Sequence, residues 1–269
     1  MSKLLVILGA GYTARVVRPL AAERYSHVFA TSRDPDGHLN EVPPDLRIRF
    51  DLNQHNTWKN IPADCDLLWC FPAEPLDLVQ AFAETIECAS RRLVVLGSTS
   101  AYLPGISDNY PPPWIDETAS IDEDRPRVQG EEYLRTHCHA ITMRVAGIYG
   151  PRRNPLTWIQ RGRVGSSHKF VNLIHVEDLA EACLAALDCG VPGEIYNVSD
   201  GMPRTWEEIC RTAHDRWGIQ STRKTDDNSM GKRLAINKLS SLLKAGRKAL
   251  VHTDLYRSLD HLRSEPPTT

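Results

Sequence analysis

Apolar and polar positions along the chain fall into short blocks whose period alternates between strand and helix. Residues 3–8 form an apolar run with no polar face, which reads as a strand buried on both sides. Residues 15–23 then show helical spacing, with Val17, Leu20 and Ala21 on one side, and residues 27–32 read as a second strand. Further strands are predicted over 46–50, 66–71 and 92–97, and a helix over 76–89 with Leu78, Phe82 and Ile86 spaced by four. Pro126 opens a helix over 126–136, 139–144 reads as a strand, and 175–187 as a helix with its entry strand. A strand over 194–198 and an amphipathic helix over 205–217 follow, the latter with Thr205 as N-cap and Glu208 three residues on. Strands alternating with helices predict an α/β fold, a Rossmann-type doubly wound parallel sheet with a small C-terminal substrate lobe. The expected division is a dinucleotide-binding domain over 1–175, to which strand 194–198 returns, a lobe built from 147–172 and 199–263, and a frayed tail over 264–269.

Between the first strand and helix stands Gly9-Ala10-Gly11-Tyr12-Thr13-Ala14, a G-x-G-x-x-A turn. Gly9 allows a tight turn, Gly11 lets the backbone approach a pyrophosphate, and Ala14 keeps the helix close to the strand. The helix N-terminus, with Tyr12 and Thr13, offers free N–H groups to phosphates. Strand, glycine turn, helix and second strand in this order point to a nicotinamide dinucleotide. The bland alternative is a glycine-rich turn that binds nothing. The second strand ends in Thr31-Ser32-Arg33 rather than in an acid. Serine and arginine suit a 2′-phosphate, so NADP is favoured over NAD. Asp34 keeps NAD open, since a strand ending one or two residues later would make it the acid that binds a 2′-hydroxyl.

Composition changes the picture mainly by exclusion. The chain has 269 residues, 41% hydrophobic and 25% charged, enough for a substantial core. A net charge of −2 gives no basic signature for nucleic acid. No apolar run approaches the ~20 residues of a membrane span, and the N-terminal run is needed as a strand rather than as a signal peptide. The seven cysteines are scattered without C-x-x-C, which predicts reduced thiols and a cytoplasmic location. The ten histidines show no ligand spacing, so no metal is expected.

Beyond the glycine turn, the chain carries Asp51-Leu52, LGSTSAY at 96–102, MRVAGIYGP at 143–151, VNLIHVED at 171–178, IYNVSDG at 195–201 and, as a weaker match, GKRLAIN at 231–237. In this order the set resembles the extended short-chain dehydrogenase/reductase superfamily, in particular its NAD(P)-dependent nucleoside-diphosphate-sugar epimerase/dehydratase-like branch. The resemblance implies an oxidoreductase or epimerase-like enzyme acting on a hydroxyl or carbonyl of a small molecule, such as a sugar nucleotide. A homodimer is compatible with it. It implies that Asp51 and Leu52 sit by the adenine, that Phe71, Pro72 and Ala73 line the cofactor, and that Val145 and Gly147 pack near the nicotinamide. Ser98 matches the serine that hydrogen-bonds the reacting oxygen. Tyr110, Arg152 and Asn172 fall on the substrate side, where Arg144, Arg153, Arg161 and Arg163 also crowd. They would hold an anionic substrate or be solvated surface arginines. His175 and Asp178 read as helix-bracing residues rather than catalytic ones.

One departure stands out. The family pairs a tyrosine with a lysine four residues on, whose charge lowers the phenol pKa for proton exchange. No tyrosine in this chain has lysine at that spacing. Alignment on Glu131 puts Glu123 at the tyrosine position and Arg127, still a cation, at the lysine position. Pro126 lies between them, which predicts a late helix start with Glu123 outside it. The proton donor is then Tyr102, the nearest phenol after Ser98, or Tyr110, or a water or substrate hydroxyl acting through Ser98. The missing pair also supports an alternative: a non-catalytic NADPH-binding sensor.

Overall fold

The computed structural model describes residues 3–103, 109–223 and 229–264; of the tail expected to fray, 264–269, Ser264 ends the last helix and the rest lies outside the described residues. The first half of the chain runs β1 (Leu4–Leu8), α1 (Tyr12–Ala21), β2 (His27–Ser32), the single turn α2 (Pro35–His38), β3 (Arg47–Arg49), β4 (Asp66–Trp69), α3 (Leu76–Thr85) and β5 (Leu93–Ser98). After β6 (Trp114–Ile115) come α4 (Pro126–His137), β7 (Ile141–Val145), β8 (Gly147–Tyr149), α5 (Pro155–Gln160), β9 (Phe170–Val171), β10 (Leu173–His175) and α6 (Val176–Cys189). The chain closes with β11 (Ile195–Val198), β12 (Arg204–Thr205), α7 (Trp206–Trp217), β13 (Arg233–Leu234), α8 (Asn237–Ala245) and α9 (Leu255–Ser264).

Seven strands form one parallel sheet in the order β11-β7-β5-β4-β1-β2-β3. Alternate residues of β1 feed opposite faces, Leu5 and Ile7 one side, Val6 and Leu8 the other, and all four are fully buried. That is why the run has no polar face. Helices α1, α6 and α8 cover the first side, and α3 and α4 the second. The chain reverses direction across the sheet between β1 and β4, where open α/β sheets leave a crevice at their carboxyl ends. A separate apolar cluster holds the lobe together, with Tyr149, Leu156, Ile159, Leu173, Ile209 and Leu259 from β8, α5, β10, α7 and α9.

Several boundaries differ from the sequence reading, and two of them have a plain backbone reason. α3 stops at Thr85, because Glu87 takes a left-handed φ of +49°. β7 starts at Ile141, because His139 (φ +53°) turns the chain off α4 while the Ala140 N–H still bonds the Leu134 carbonyl. β3 shrinks to three residues. The reading of seven reduced thiols is also corrected. Cys88 and Cys138 form a disulfide with their Cα atoms 5.4 Å apart. The packing of α3 against α4 brings together two cysteines 50 residues apart, which no local spacing reveals. Cys65, Cys70, Cys183, Cys189 and Cys210 are free. No helix among the described residues is long and apolar enough to cross a membrane.

Candidate active site

β1 ends in the glycine turn. Gly9 has φ +87°, its N–H donates to Thr31 Oγ1 at 2.9 Å, and a Cβ there would lie 2.9 Å from the Phe71 ring. Gly11 is the N-cap of α1, so no side chain caps the helix, and its first turn carries no acid. A Cβ on Gly11 would meet nothing within 4 Å, so the turn faces open space. Uncapped N–H groups at a positive helix end, with no carboxylate to compete, suit a phosphate. A cleft of about 500 Å³ opens over this turn. It gathers Gly9, Gly11, Ser32 and Arg33 with Asp51, Leu52 and Phe71.

The other residues proposed for the cofactor lie around the cleft rather than in it. Thr13 and Ala14 are buried and hold α1 on the sheet. Tyr12 leans toward the lobe, its hydroxyl donating to the Pro151 carbonyl at 2.9 Å. Burial pushes that phenol up to about 12, with Arg153 pulling the other way. Pro72 is exposed, whereas Ala73 is buried under α4, where a Cβ on Gly130 would overlap its carbonyl. Val145 is buried, and the Gly147 N–H donates to the Asn172 carbonyl.

At the far end of the cleft stand Arg15, Ser32, Arg33 and His38. Ser32 Oγ lies 3.0 Å from His38 Nδ1, and Arg15 reaches Glu41 at 3.4 Å. Arg33 is exposed and makes no hydrogen bond or ion pair among the described residues. Asp34 turns away. Its Oδ1 accepts from the Gly37 N–H at 3.1 Å and caps α2. Arg15 and His38 were missed in the sequence reading. Their signal was weak, a cation on α1 and a histidine in the loop after β2.

Glu74 lines both this cleft and a second pocket of about 280 Å³, so the two meet there. Ser98, Ser100, Arg125, Arg127 and Glu131 line the second pocket. Ser98 ends β5, and its Oγ accepts from the Ser100 N–H at 3.1 Å and from Ser100 Oγ at 2.9 Å. Both contacts use its lone pairs, so its own proton is available to donate. The turn around it is held by cations from two directions. Arg127 donates to the Leu96 carbonyl and Arg125 to that of Ser100, at 2.7 and 2.9 Å. Lys232, from the lobe, donates to the carbonyls of Tyr102 (2.6 Å) and Thr99 (3.3 Å). Burial pushes the Lys232 ammonium pKa down, and Arg125 and Lys169 push the same way.

Beneath the pocket, Arg127 Nε bonds Glu131 Oε1 at 2.7 Å, Glu131 Oε2 pairs with Arg144, and Arg144 reaches Glu132 at 2.9 Å. Arg144 is fully buried and Glu131 is 1% exposed. Burial pushes the Glu131 carboxyl up, against the pull of Arg144 and Arg127. Arg144 therefore braces α4 on β7, and its placement on the substrate side is corrected.

Several candidates for chemistry are placed elsewhere. Tyr102 is 1% exposed, and its hydroxyl donates to Asn197 Oδ1 at 2.6 Å. Burial raises its pKa. The reading of Tyr102 as proton donor is corrected, because its phenol is turned into the packing beside β11, away from the Ser98 pocket. Tyr110 is 52% exposed and sits in the lobe, its hydroxyl donating to the His168 carbonyl. Glu123 is exposed and precedes α4, which begins at Pro126. Asn172 does not present its amide to a ligand. Its Nδ2 donates to the Lys232 carbonyl and its Oδ1 accepts from the Leu234 N–H, which ties down the segment that carries Lys232. Arg152 lines a separate cleft.

His175 caps α6 through Nδ1, and Asp178 accepts the N–H groups of Val251 and His252. His175, Glu177 and His252 are the group among the described residues whose ligand atoms lie within 4.8 Å of one another. The two imidazoles are stacked, centroids 3.7 Å apart and planes 25° apart. Their in-plane lone pairs therefore run side by side rather than converge on one ion.

No family model matches the sequence, and no curated protein does. Solved structures do. A functionally unknown conserved protein from Silicibacter pomeroyi superposes with a TM-score of 0.76 at 22% identity, covering 100% of both chains. A mutant UDP-glucuronic acid 4-epimerase from Bacillus cereus, in complex with UDP-4-deoxy-4-fluoro-glucuronic acid and NAD, gives 0.74 at 16% identity, over 97% of this chain and 99% of that one. A short-chain dehydrogenase/reductase superfamily protein from Agrobacterium tumefaciens with bound NAD gives 0.75 at 13% identity, over 97% of each. The chain shares the fold of these proteins. At these identities the likeness is one of fold, and the chemistry has to be argued from the site.

Proposed function

We propose that the chain is an NADP-dependent oxidoreductase or epimerase-like enzyme acting on a hydroxyl or carbonyl of a small molecule, such as a sugar nucleotide. One observation carries the reading. The cleft over the uncapped N-terminus of α1 runs from a cationic end at Arg15, Ser32, Arg33 and His38 to the Ser98 pocket. The open face at Gly11 fits a dinucleotide's pyrophosphate, and the unpaired Arg33 fits a 2′-phosphate, while Asp34, the acid that follows it, is spent on capping α2.

A bound nicotinamide would supply hydride acceptance or donation. The residues of this chain do the rest. Ser98, supported from behind by Ser100, donates its hydroxyl proton to the reacting oxygen. Arg125, Arg127 and Lys232 hold the carbonyls of its turn and keep the serine aimed. Their positive charge favours the oxygen in its anionic form. Glu131 and Arg144 fix Arg127 and α4 beneath it. With no phenol among the described residues that line the pocket, Ser98 gives its proton to the reacting oxygen, takes one from Ser100, and the exposed Ser100 is reprotonated by solvent; oxidation runs the same relay in reverse.

Turnover assays with NADP and NADPH across sugar nucleotides and simple carbonyl compounds test this. Ser98→Ala should cut turnover by about two to four decades, and Tyr102→Phe, if folded, should retain most of it. The reverse pattern would reject the serine route. A second reading, a non-catalytic NADPH sensor, is favoured by the burial of Tyr102 on Asn197. Tight NADPH binding with no turnover of any class would bring it forward.

A further inference from the structure

A third cleft, of about 540 Å³, shares no lining residue with the cofactor cleft or the Ser98 pocket. Its walls are Tyr12, Arg152, Arg153, Trp158, Arg163 and Val164. Tyr12 directly follows Gly11, so this cleft and the cofactor cleft border adjacent residues of the same turn. Three of the six lining residues are arginines and none is an acid, in a chain whose net charge is −2. Arg153 stands over the Tyr12 ring at 5.8 Å. Neither Arg153 nor Arg163 has a carboxylate partner among the described residues. Arg223 donates to the Arg163 carbonyl at 2.9 Å and brings a further guanidinium close by. The acid that acts on Tyr12, Glu177, is engaged by His252 at 2.8 Å. Trp158 is half-buried and adds a flat apolar wall.

Guanidiniums without carboxylate partners match phosphate oxygens in planar, two-pronged geometry. Indole and phenol rings beside them favour a flat partner. We infer that this cleft binds a small phosphate ester that carries a planar ring. The site is separate from the cofactor cleft, and the inference stands whether or not the chain turns over a substrate.

The test uses phenyl phosphate as the probe, with inorganic phosphate and phenol as its two halves, each titrated into the full chain and followed by NMR. The Trp158 indole N–H signal is assigned by Trp158→Phe. Phenyl phosphate should saturate, shift that signal, and bind at least about tenfold more tightly than either half. Arg153→Ala and Arg163→Ala should each weaken it by about tenfold, a modest loss because the cleft is open to solvent. Arg163→Ala should leave NADPH affinity unchanged, and phenyl phosphate should bind equally well with NADPH present. Equal binding of phenyl phosphate and inorganic phosphate would overturn the inference, as would unchanged affinity in the double arginine variant. Displacement of the probe by NADPH would assign it to the cofactor cleft instead. Failure of NADPH to bind would damage the cofactor reading and leave this result legible.

Discussion

The two ends of the proposed active-site cleft are built in opposite ways. At the proposed nucleotide end, β1, the glycine turn, α1 and the Ser32–Arg33 end of β2 come from one continuous stretch of chain. The functional groups there are backbone N–H groups and exposed side chains with few partners. At the Ser98 end, the pocket is assembled from β5, α4, β7 and the segment around Lys232, which is 134 positions from Ser98 in sequence (232 − 98). Its side chains bond one another and the carbonyls of the turn, and they rest on the buried pair Glu131 and Arg144, although Ser100 and Arg125 are exposed. Substitutions at the first end should therefore change binding and spare stability, whereas at the second they should change stability first.

The largest expected effect is at Glu131. Removing this carboxylate leaves the fully buried Arg144 with Glu132 as its remaining acid. Breaking a buried pair from one side costs about 3–5 kcal/mol. Glu131→Ala should lower unfolding stability by about that amount in denaturant melts, while Arg33→Ala should shift it by less than ~0.5 kcal/mol. Comparable melts for the two variants would erase the contrast.

Acid should weaken the protein through His175. Burial, reinforced by His252, pushes this imidazole down to about 4. The unfolded state, near ~6.5, binds the proton more readily. The stabilisation is thus full above about 6.5 and is lost as pH falls from there toward 4, with roughly 2–3 kcal/mol at stake. His175→Asn should flatten that part of the stability–pH curve, and an unchanged slope would remove His175 as its source.

A smaller effect is expected at Tyr102. Tyr102→Phe strips the buried Asn197 Oδ1 of its phenolic donor, at a cost of about 1–3 kcal/mol. NADPH affinity should stay the same. A stability loss near zero together with weaker cofactor binding would place the phenol in the cleft after all.

The same contrast explains what could be read from the chain directly. The parallel sheet was legible because residues 4–8 and 93–96 are apolar on both faces. The Thr205 cap was legible too: its Oγ1 accepts from the Glu208 N–H at 3.1 Å. Seven of the residues proposed for the cofactor, from Gly9 to Phe71, line one cleft. Tyr102 was misplaced because proximity in sequence to Ser98 says nothing about which way a side chain leaves the turn. Lys232 and Arg125 escaped notice because their roles rest on bonds to carbonyls of a distant loop. Ser100 carried a local signal, a hydroxyl two residues after Ser98, where side-chain-to-backbone turns form. Cys88 and Cys138 carried none, since only the packing of α3 on α4 joins them.

The central claim is that the cleft over Gly9–Arg33 binds NADP through its 2′-phosphate. Calorimetric titration of NADPH and NADH into the wild-type chain and Arg33→Ala tests it most directly. The account predicts that wild type prefers NADPH, and that Arg33→Ala loses about one to two decades of NADPH affinity with little change for NADH. Equal losses for both cofactors, or a wild-type preference for NADH, would contradict it.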